Sequence, residues 1–279
     1  MPEGIRFHSI PPDHKLVKNY IEYYYFFEVS GEQPISYLYY PHYVQVLNIY
    51  KDAEVNLTDS GRRVEASIDK TISCTYTCNL HSIRKVSFVG KNNQIGIVFK
   101  PLGINHFLPF NLEEVVTEVA QAFDYFGSPF ENLAVEVYAC TKLKNRRDIF
   151  DNYFAAHFRK RIDIDLVKNL HDVLQNKKEF NVNLFAQALG VNRKTVYRQF
   201  RKHLCYTPQA FKSVLKFRNA LHDHGVLLKS TLTQTAHEHN FYDQSDFIRR
   251  YKKLAGLTPR QLINRLDQYG STNTFWTKL

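Results

Sequence analysis

Two runs of residues in the C-terminal third have the types and spacing that nucleic-acid chemistry needs. The first is Asn192, Arg193, Lys194, Tyr197, Arg198, Arg201 and Lys202. The second is Asp243, Gln244, Ser245, Arg249, Arg250, Lys252 and Lys253. On a helix, positions i, i+1, i+4, i+5 and i+8 share one side, so each run can present a polar face. Arg can pair bidentately with guanine, and Asn or Gln with adenine, from the first two turns of such a helix. Arg201, Lys202, Lys252 and Lys253 lie farther along and suit phosphate neutralisation. Asp243 has a second reading as a helix cap.

Other chemistry finds less support. His237 and His239 on one helix would point about 200° apart and cannot share a metal. His8, His14, His42, His81 and His106 are scattered, with no glutamate at ligand spacing. Cys74 and Cys78 can share a face of a strand. A zinc or redox pair would need two more ligands or a clear partner, and none stands out. The chain has no glycine-rich phosphate loop and no Gly-x-Ser-x-Gly elbow. The expectation is therefore no catalytic residue, no metal, no cofactor and no enzymatic activity.

An aromatic run, Tyr20, Tyr23 to Phe27, with Tyr37, Tyr39, Tyr40 and Tyr43, reads first as a β core. Its second reading is a ligand pocket, because tyrosine offers an apolar wall and a hydroxyl. Tyr24, Phe26, Tyr37, Tyr39 and Tyr43 are the candidate effector contacts. The effector expected there is small and partly apolar or polyol-like.

Charge sharpens the first reading. The 279 residues carry a net charge of +10, yet residues 1–160 are at −1 and residues 161–279 at +11. The whole basic excess thus sits in one part, the footprint of a domain that meets phosphates. No segment approaches the ~18 apolar residues of a membrane span. The N-terminus lacks the basic-then-apolar order of a secretory signal. Four cysteines without a dense framework fit a reducing cytoplasm, where the chain is expected.

The elements that must position these residues fall into two regimes. Tyr20–Val29, Ile35–Tyr50, Ser67–Tyr76, Ile83–Val89 and Gln94–Lys100 are rich in Tyr, Phe, Val and Ile and separated by turn-formers. They read as strands of a small sandwich or barrel. From Asn111 the period becomes helical, through Leu112, Val115, Val116 and Val119, then Leu133, Val137 and Leu143, then Asp148–Phe158. The charge balance shifts near Phe158–Ile164, which marks a boundary. Beyond it, Leu166, Leu170, Val173 and Leu174 form one apolar face. Asn183–Leu189, Asn192–His203, Pro208–His222, Leu232–His239, Asp243–Leu254 and Pro259–Leu266 follow as short helices.

This helical part repeats itself at a shift of 51. Arg198 falls on Arg249, Phe200 on Tyr251, Arg201 on Lys252, Lys202 on Lys253, Thr207 on Thr258 and Pro208 on Pro259. Ala186 meets Ala236 after a one-residue slip. In the first copy a short helix ends at Gly190, a residue free to turn left-handed, and Asn192 caps the next helix. Val196 and Phe200 face inward. The second copy turns at Asn240-Phe241-Tyr242, where Asn is the next best residue for a positive φ. Each copy closes on Thr-Pro, a strong helix start. A short helix, a tight turn and a second polar helix make a helix-turn-helix. If the linker helix Pro208–His222 spaces two of them by roughly 34 Å, both enter the major groove on one face of DNA. The first copy has the denser basic start, so it is expected to supply more of the base-specific contact and the second more backbone anchoring.

Phe241-Tyr-Asp-Gln-Ser-Asp-Phe-Ile-Arg-Arg-Tyr-Lys-Lys-Leu-Ala-Gly-Leu-Thr-Pro259, together with the first copy and Leu215–Ala220, resembles the AraC/XylS family of bacterial transcription regulators over about residues 164–266. Cys205 and Asn240 stand where that family usually has glycine, and Thr235 where it has an aliphatic residue. Gly96–Ile104 is similar to sensor domains of such regulators, which implies a cupin-like β-barrel followed by helices, for effector binding or dimerisation. The expected architecture is a two-domain α+β protein. It has a cupin-like sensor or dimerisation domain over 1–160, an all-α DNA-binding domain of seven helices over 161–270, and a tail over 271–279. The expected partners are double-stranded DNA, a small effector, RNA polymerase and a second copy of the chain, with no membrane. Two alternatives stay open: a constitutive regulator whose barrel only oligomerises, and a cupin-type enzyme fused to a DNA-binding module.

Overall fold

The computed structural model describes residues 4–58, 60–78, 81–176, 179–222, 231–239, 241–269 and 274–279. Its N-terminal part is built from two six-stranded sheets. The first has the order β1 (Ile5–Ile10), β2 (Ile21–Val29), β9 (Asn92–Phe99), β4 (Gln45–Lys51), β7 (Ile72–Thr77) and β10 (Ala120–Ala122), all antiparallel. The second has the order β11 (Asp267–Tyr269), β12 (Thr274–Lys278), β3 (Ile35–Tyr39), β8 (Arg84–Val89), β6 (Gly61–Ala66) and β5 (Ala53–Thr58), with β6 and β8 parallel. The expected strand-rich domain is present, and strands β1, β5, β6 and β10 add to those read from the sequence.

Both faces of the first sheet are covered, which explains the unbroken aromatic run of β2. Tyr25 and Phe27 face the second sheet with Tyr37, Tyr50, Val64, Val86 and Phe88. Tyr24 and Phe26 face the other way with Leu47, Ile49, Ile95 and Ile97. Sheets buried on both faces need apolar residues at every position rather than at alternate ones. Gly96 on β9 makes room for the Tyr25 ring, since a Cβ there would lie 1.9 Å from it.

Helices α1 (Ser128–Ala139) and α2 (Leu143–Ala156) cover that second face. On α2, buried Asp151 accepts from the Tyr24 hydroxyl at 2.8 Å and from the amides of Asp13 and His14 at 2.8 and 3.0 Å. The helical spacing of Leu112 to Val119 is misleading. Leu112–Glu114 form a single 3-10 turn capped by Asn111, and the Gln121 side chain closes the next turn by accepting from Thr117 N and donating to Val115 O. Three consecutive β-branched residues, Val115-Val116-Thr117, favour leaving the helix there.

Beyond the boundary come α3 (Ile164–Gln175), α4 (Val182–Ala188), α5 (Arg193–Leu204), α6 (Pro208–His222), α7 (Leu232–Glu238), α8 (Gln244–Ala255) and α9 (Pro259–Ile263), seven helices among the described residues. The connection from α2 to α3 is held on the barrel, where Arg159 N donates to His106 O at 2.7 Å and Arg161 Nη1 to Pro109 O at 2.6 Å. One apolar cluster runs from the first sheet through α3, α4, α5 and the start of α6. A second gathers the end of α6 with α7, α8 and α9 against Tyr40 of the barrel. The last residues, a tail by sequence, form β12 and pair with β3, Trp276 opposite Tyr39.

Candidate nucleic-acid interface and effector cavity

The first unit is assembled by local signals. Asn181 caps α4, accepting from Asn183 N at 2.9 Å. Gly190 takes φ of +63° and lets Val191 N reach back to Ala186 O at 3.0 Å. Asn192 then caps α5, its side chain accepting from Thr195 N at 2.9 Å. Val196 and Phe200 are buried, and the Phe200 ring sits 5.4 to 5.9 Å from those of Phe180, Phe185 and Phe211. That cluster fixes the rotation of α5. Arg193, Lys194, Tyr197, Arg198 and Arg201 are left exposed on one side, with Lys202 half-buried at its margin.

The second unit repeats the device. Thr231 caps α7 in a capping box with Gln234. Asn240 lies outside the described residues, but Phe241 N reaches Ala236 O at 2.8 Å, as Val191 reaches Ala186. Asp243, 51 positions after Asn192, caps α8 and accepts from Asp246 N at 2.7 Å. Phe247 and Tyr251 turn inward, while Gln244, Ser245, Arg249, Arg250, Lys252 and Lys253 are exposed.

The two faces differ in charge. Buried Asp246 accepts from Arg249 at 2.6 Å and Arg250 at 2.9 Å. Burial opposes ionisation of this carboxyl, but the hydrogen bonds from Arg250 and Arg249 outweigh it and hold its pKa below the ordinary value. In the first unit, no carboxylate among the described residues pairs with Arg193, Lys194, Arg198 or Arg201. Arg249 and Arg250 are therefore held in place by Asp246.

Sequence reasoning missed one feature at this surface. Tyr242 is 88% exposed just before the cap of α8, at the repeat position of Val191, itself 37% exposed. An apolar residue in the turn before each cap is visible once the copies are aligned.

A cavity of about 100 Å³ lies between the sheets, several times the ~10–15 Å³ that one water needs. Tyr37 and Tyr39 line it, as do Tyr23, Tyr25 and Tyr40. Tyr24 and Phe26 do not. Alternation along β2 turns them to the helices, where Tyr24 stacks on Phe150 at 5.1 Å and Phe26 lies under Arg146 at 5.0 Å. Tyr43 lines a separate cleft with Lys100 and His171. The cavity wall also holds Arg62 and Arg218 and, among the described residues, no carboxylate. Arg62 sits over the Tyr39 and Tyr50 rings at 5.7 and 5.8 Å. Arg218, on α6, is buried, and burial pushes its pKa down to about 10. Neither arginine stands out in the sequence, because strand β6 and the linker helix meet only in three dimensions. Among the described residues no group of three or more His, Cys, Asp or Glu side chains gathers as a metal site, and no helix is long and apolar enough to cross a membrane.

Comparison with known proteins supplies three findings. Residues 185–265 match the family model of a helix-turn-helix domain. No curated protein matches the chain. Among solved structures, ToxT from Vibrio cholerae is similar at 10% identity over 94% of this chain and 98% of that one, with a TM-score of 0.46. A ToxT described as unsaturated fatty acid bound, from Vibrio cholerae strain SCE256, is similar at 10% identity over 94% and 97%, with a TM-score of 0.45.

Proposed function

We propose that this chain, whose C-terminal region is an AraC-type helix-turn-helix domain, is a transcription regulator that recognises a specific DNA sequence and responds to a small anionic effector. The observation that carries the DNA reading is the pair of exposed polar faces on α5 and α8, each capped at its start and backed by buried aromatics. Arg193, Lys194, Tyr197 and Arg198 are read as base-reading contacts with Asn192, and Gln244, Ser245, Arg249 and Arg250 as their second-unit counterparts beside Asp243. Arg201, Lys202, Lys252 and Lys253 serve phosphates. The AraC/XylS resemblance supports a setting in a bacterial cytoplasm, with a second copy and RNA polymerase as partners.

Selection of bound sequences from random duplexes tests this. The expected result is an enriched site with two elements about 10 bp apart, bound at least 1,000-fold more tightly than random DNA. Equal affinity for every duplex would overturn it.

The effector reading rests on the cavity. Two guanidinium groups, apolar strand residues and tyrosine rings suit a small molecule with an apolar body and a carboxylate. Trp276, the sole tryptophan, lines the same cavity and reports on it. Small aromatic and aliphatic carboxylates should change Trp276 fluorescence saturably, and Arg62→Gln should weaken that response. A flat response across the set would leave a barrel without an effector.

A further inference from the structure

The last strand belongs to both halves of the molecule. Asn264–Leu266 alone join α9 of the second unit to β11, and β12 returns along β11 with Trp276 opposite Asp267. On its other side β12 pairs with β3 of the barrel, Trp276 opposite Tyr39 and Thr277 opposite Leu38. Leu279 N extends the pairing by donating to Ser36 O at 2.9 Å. The connection from α9 has little slack, since Arg265 N reaches Leu262 O at 2.9 Å and Leu266 N reaches Ile263 O at 3.4 Å.

Alternation along β12 sends successive side chains to different partners. Trp276 and its cross-strand neighbour Tyr39 line the cavity between the sheets. The Trp276 ring lies 5.7 and 5.5 Å from Phe7 and Phe27 of the first sheet and 5.5 Å from Tyr37 of the second. Thr277 and its neighbour Leu38 take the opposite face. Leu38 packs on the apolar cluster of the second unit, and buried Thr277 shares a hydrogen bond of 2.7 Å with the Tyr40 hydroxyl. Tyr40 is itself a member of that cluster, together with Phe247, Tyr251 and Leu262.

One residue of β12 thus walls the cavity, and the next is fixed to the core of the second helix-turn-helix unit. We infer that β12 is a wall of the effector site supplied by the DNA-binding half, so that a small carboxylate in the cavity and the docked second unit hold each other in place. The inference rests on the effector reading above. A ligand in the cavity touches Trp276 only while β12 is paired with β3, and so binds the docked arrangement more tightly. Reciprocity makes docking of the second unit firmer by the same factor, typically about 5- to 150-fold.

The test uses the full chain and four probes: benzoate, phenylacetate, hexanoate and octanoate. Calorimetry reads binding, and amide hydrogen exchange resolved along the chain reads docking. With a probe that binds, exchange at Leu279 and at Leu262 and Asn264 of the second unit should slow about ten-fold. Trp276→Ala should weaken that probe about ten-fold and abolish the slowing. Thr277→Val leaves Trp276 in the cavity but removes the bond to Tyr40. It should still bind the probe while Leu262 and Asn264 no longer respond. Equal affinity in Trp276→Ala would overturn the inference and leave the effector reading standing. Slowing at Leu279 with none at Leu262 and Asn264 would overturn the coupling. If Trp276→Ala does not fold, the wild-type exchange and Thr277→Val decide alone. If no probe binds the wild type, the effector reading fails and the unliganded chain decides the docking. Thr277→Val should then speed exchange at Leu262 and Asn264 about five-fold, and unchanged exchange would overturn it.

Discussion

Cys205 and Gly256 hold the same place in the two copies of the repeat, and both are left-handed, at φ of +56° and +68°. The pair shows that the 51-residue repeat extends to the backbone torsions that end each recognition helix. It also sets a test. A Cβ added at Gly256 meets nothing within 4 Å, so Gly256→Ala would cost strain alone, about 1–2 kcal/mol. Cys205→Gly relieves strain and should stay within about 1 kcal/mol of the wild type. Urea unfolding midpoints measure both, and a neutral Gly256→Ala would contradict the left-handed cap.

The exposed face of α5 predicts a division of labour on DNA. Arg193→Ala should cost about 1–3 kcal/mol on the selected site and relax the preference at one base. Lys253→Ala should weaken binding to all duplexes alike and reduce the salt slope by about 1. Titrations of specific and random DNA at several salt concentrations decide this. Equal losses on both duplexes for both variants would refute it.

The contact between barrel and helices should be sensitive to acid. His203 lies against Asn105, which donates to His203 O at 2.8 Å. Burial first, then Lys202, Arg161 and His106, pushes its pKa down to about 4. His171 reaches about 4 through burial, then Lys100. An unfolded histidine titrates near 6.5, so between pH 6.5 and 4 the unfolded chain binds more protons. Stability therefore falls as pH drops through that window, by roughly 1–3 kcal/mol per histidine after allowing for partial solvent access. His171→Gln and His203→Gln should each flatten melting temperature against pH there; an unchanged slope would show that other groups carry it.

Asp151 anchors the segment before β2 to α2 by accepting from Tyr24 and from two amides. Removing a buried acceptor leaves its donors unsatisfied, so Asp151→Ala should lose about 2–4 kcal/mol. Tyr24→Phe removes one donor and should lose only about 1 kcal/mol. Equal losses in thermal unfolding would mean that Asp151 acts only through Tyr24.

The sequence alone was enough to place two helix-turn-helix units. Their evidence is local: Asn192 and Asp243 as caps, Gly190 at a turn, Val196 and Phe200 one helical turn apart, Thr-Pro at each close. Hydrogen bonds from i to i+4 are made within a few residues, so a short window carries the information. The same kind of window failed at Val115–Val119, where periodicity suited a helix but β-branching and the Gln121 side chain made a turn. Tertiary structure decided the rest. The pleat of β2 turns Tyr23 and Tyr25 to the cavity and Tyr24 and Phe26 to the helices, a phase set by which sheet and which helix close on each face. Arg62 and Arg218 share a cavity wall, and β12 pairs with β3. These partners stand more than a hundred residues apart, and only burial of a common apolar core brings them together.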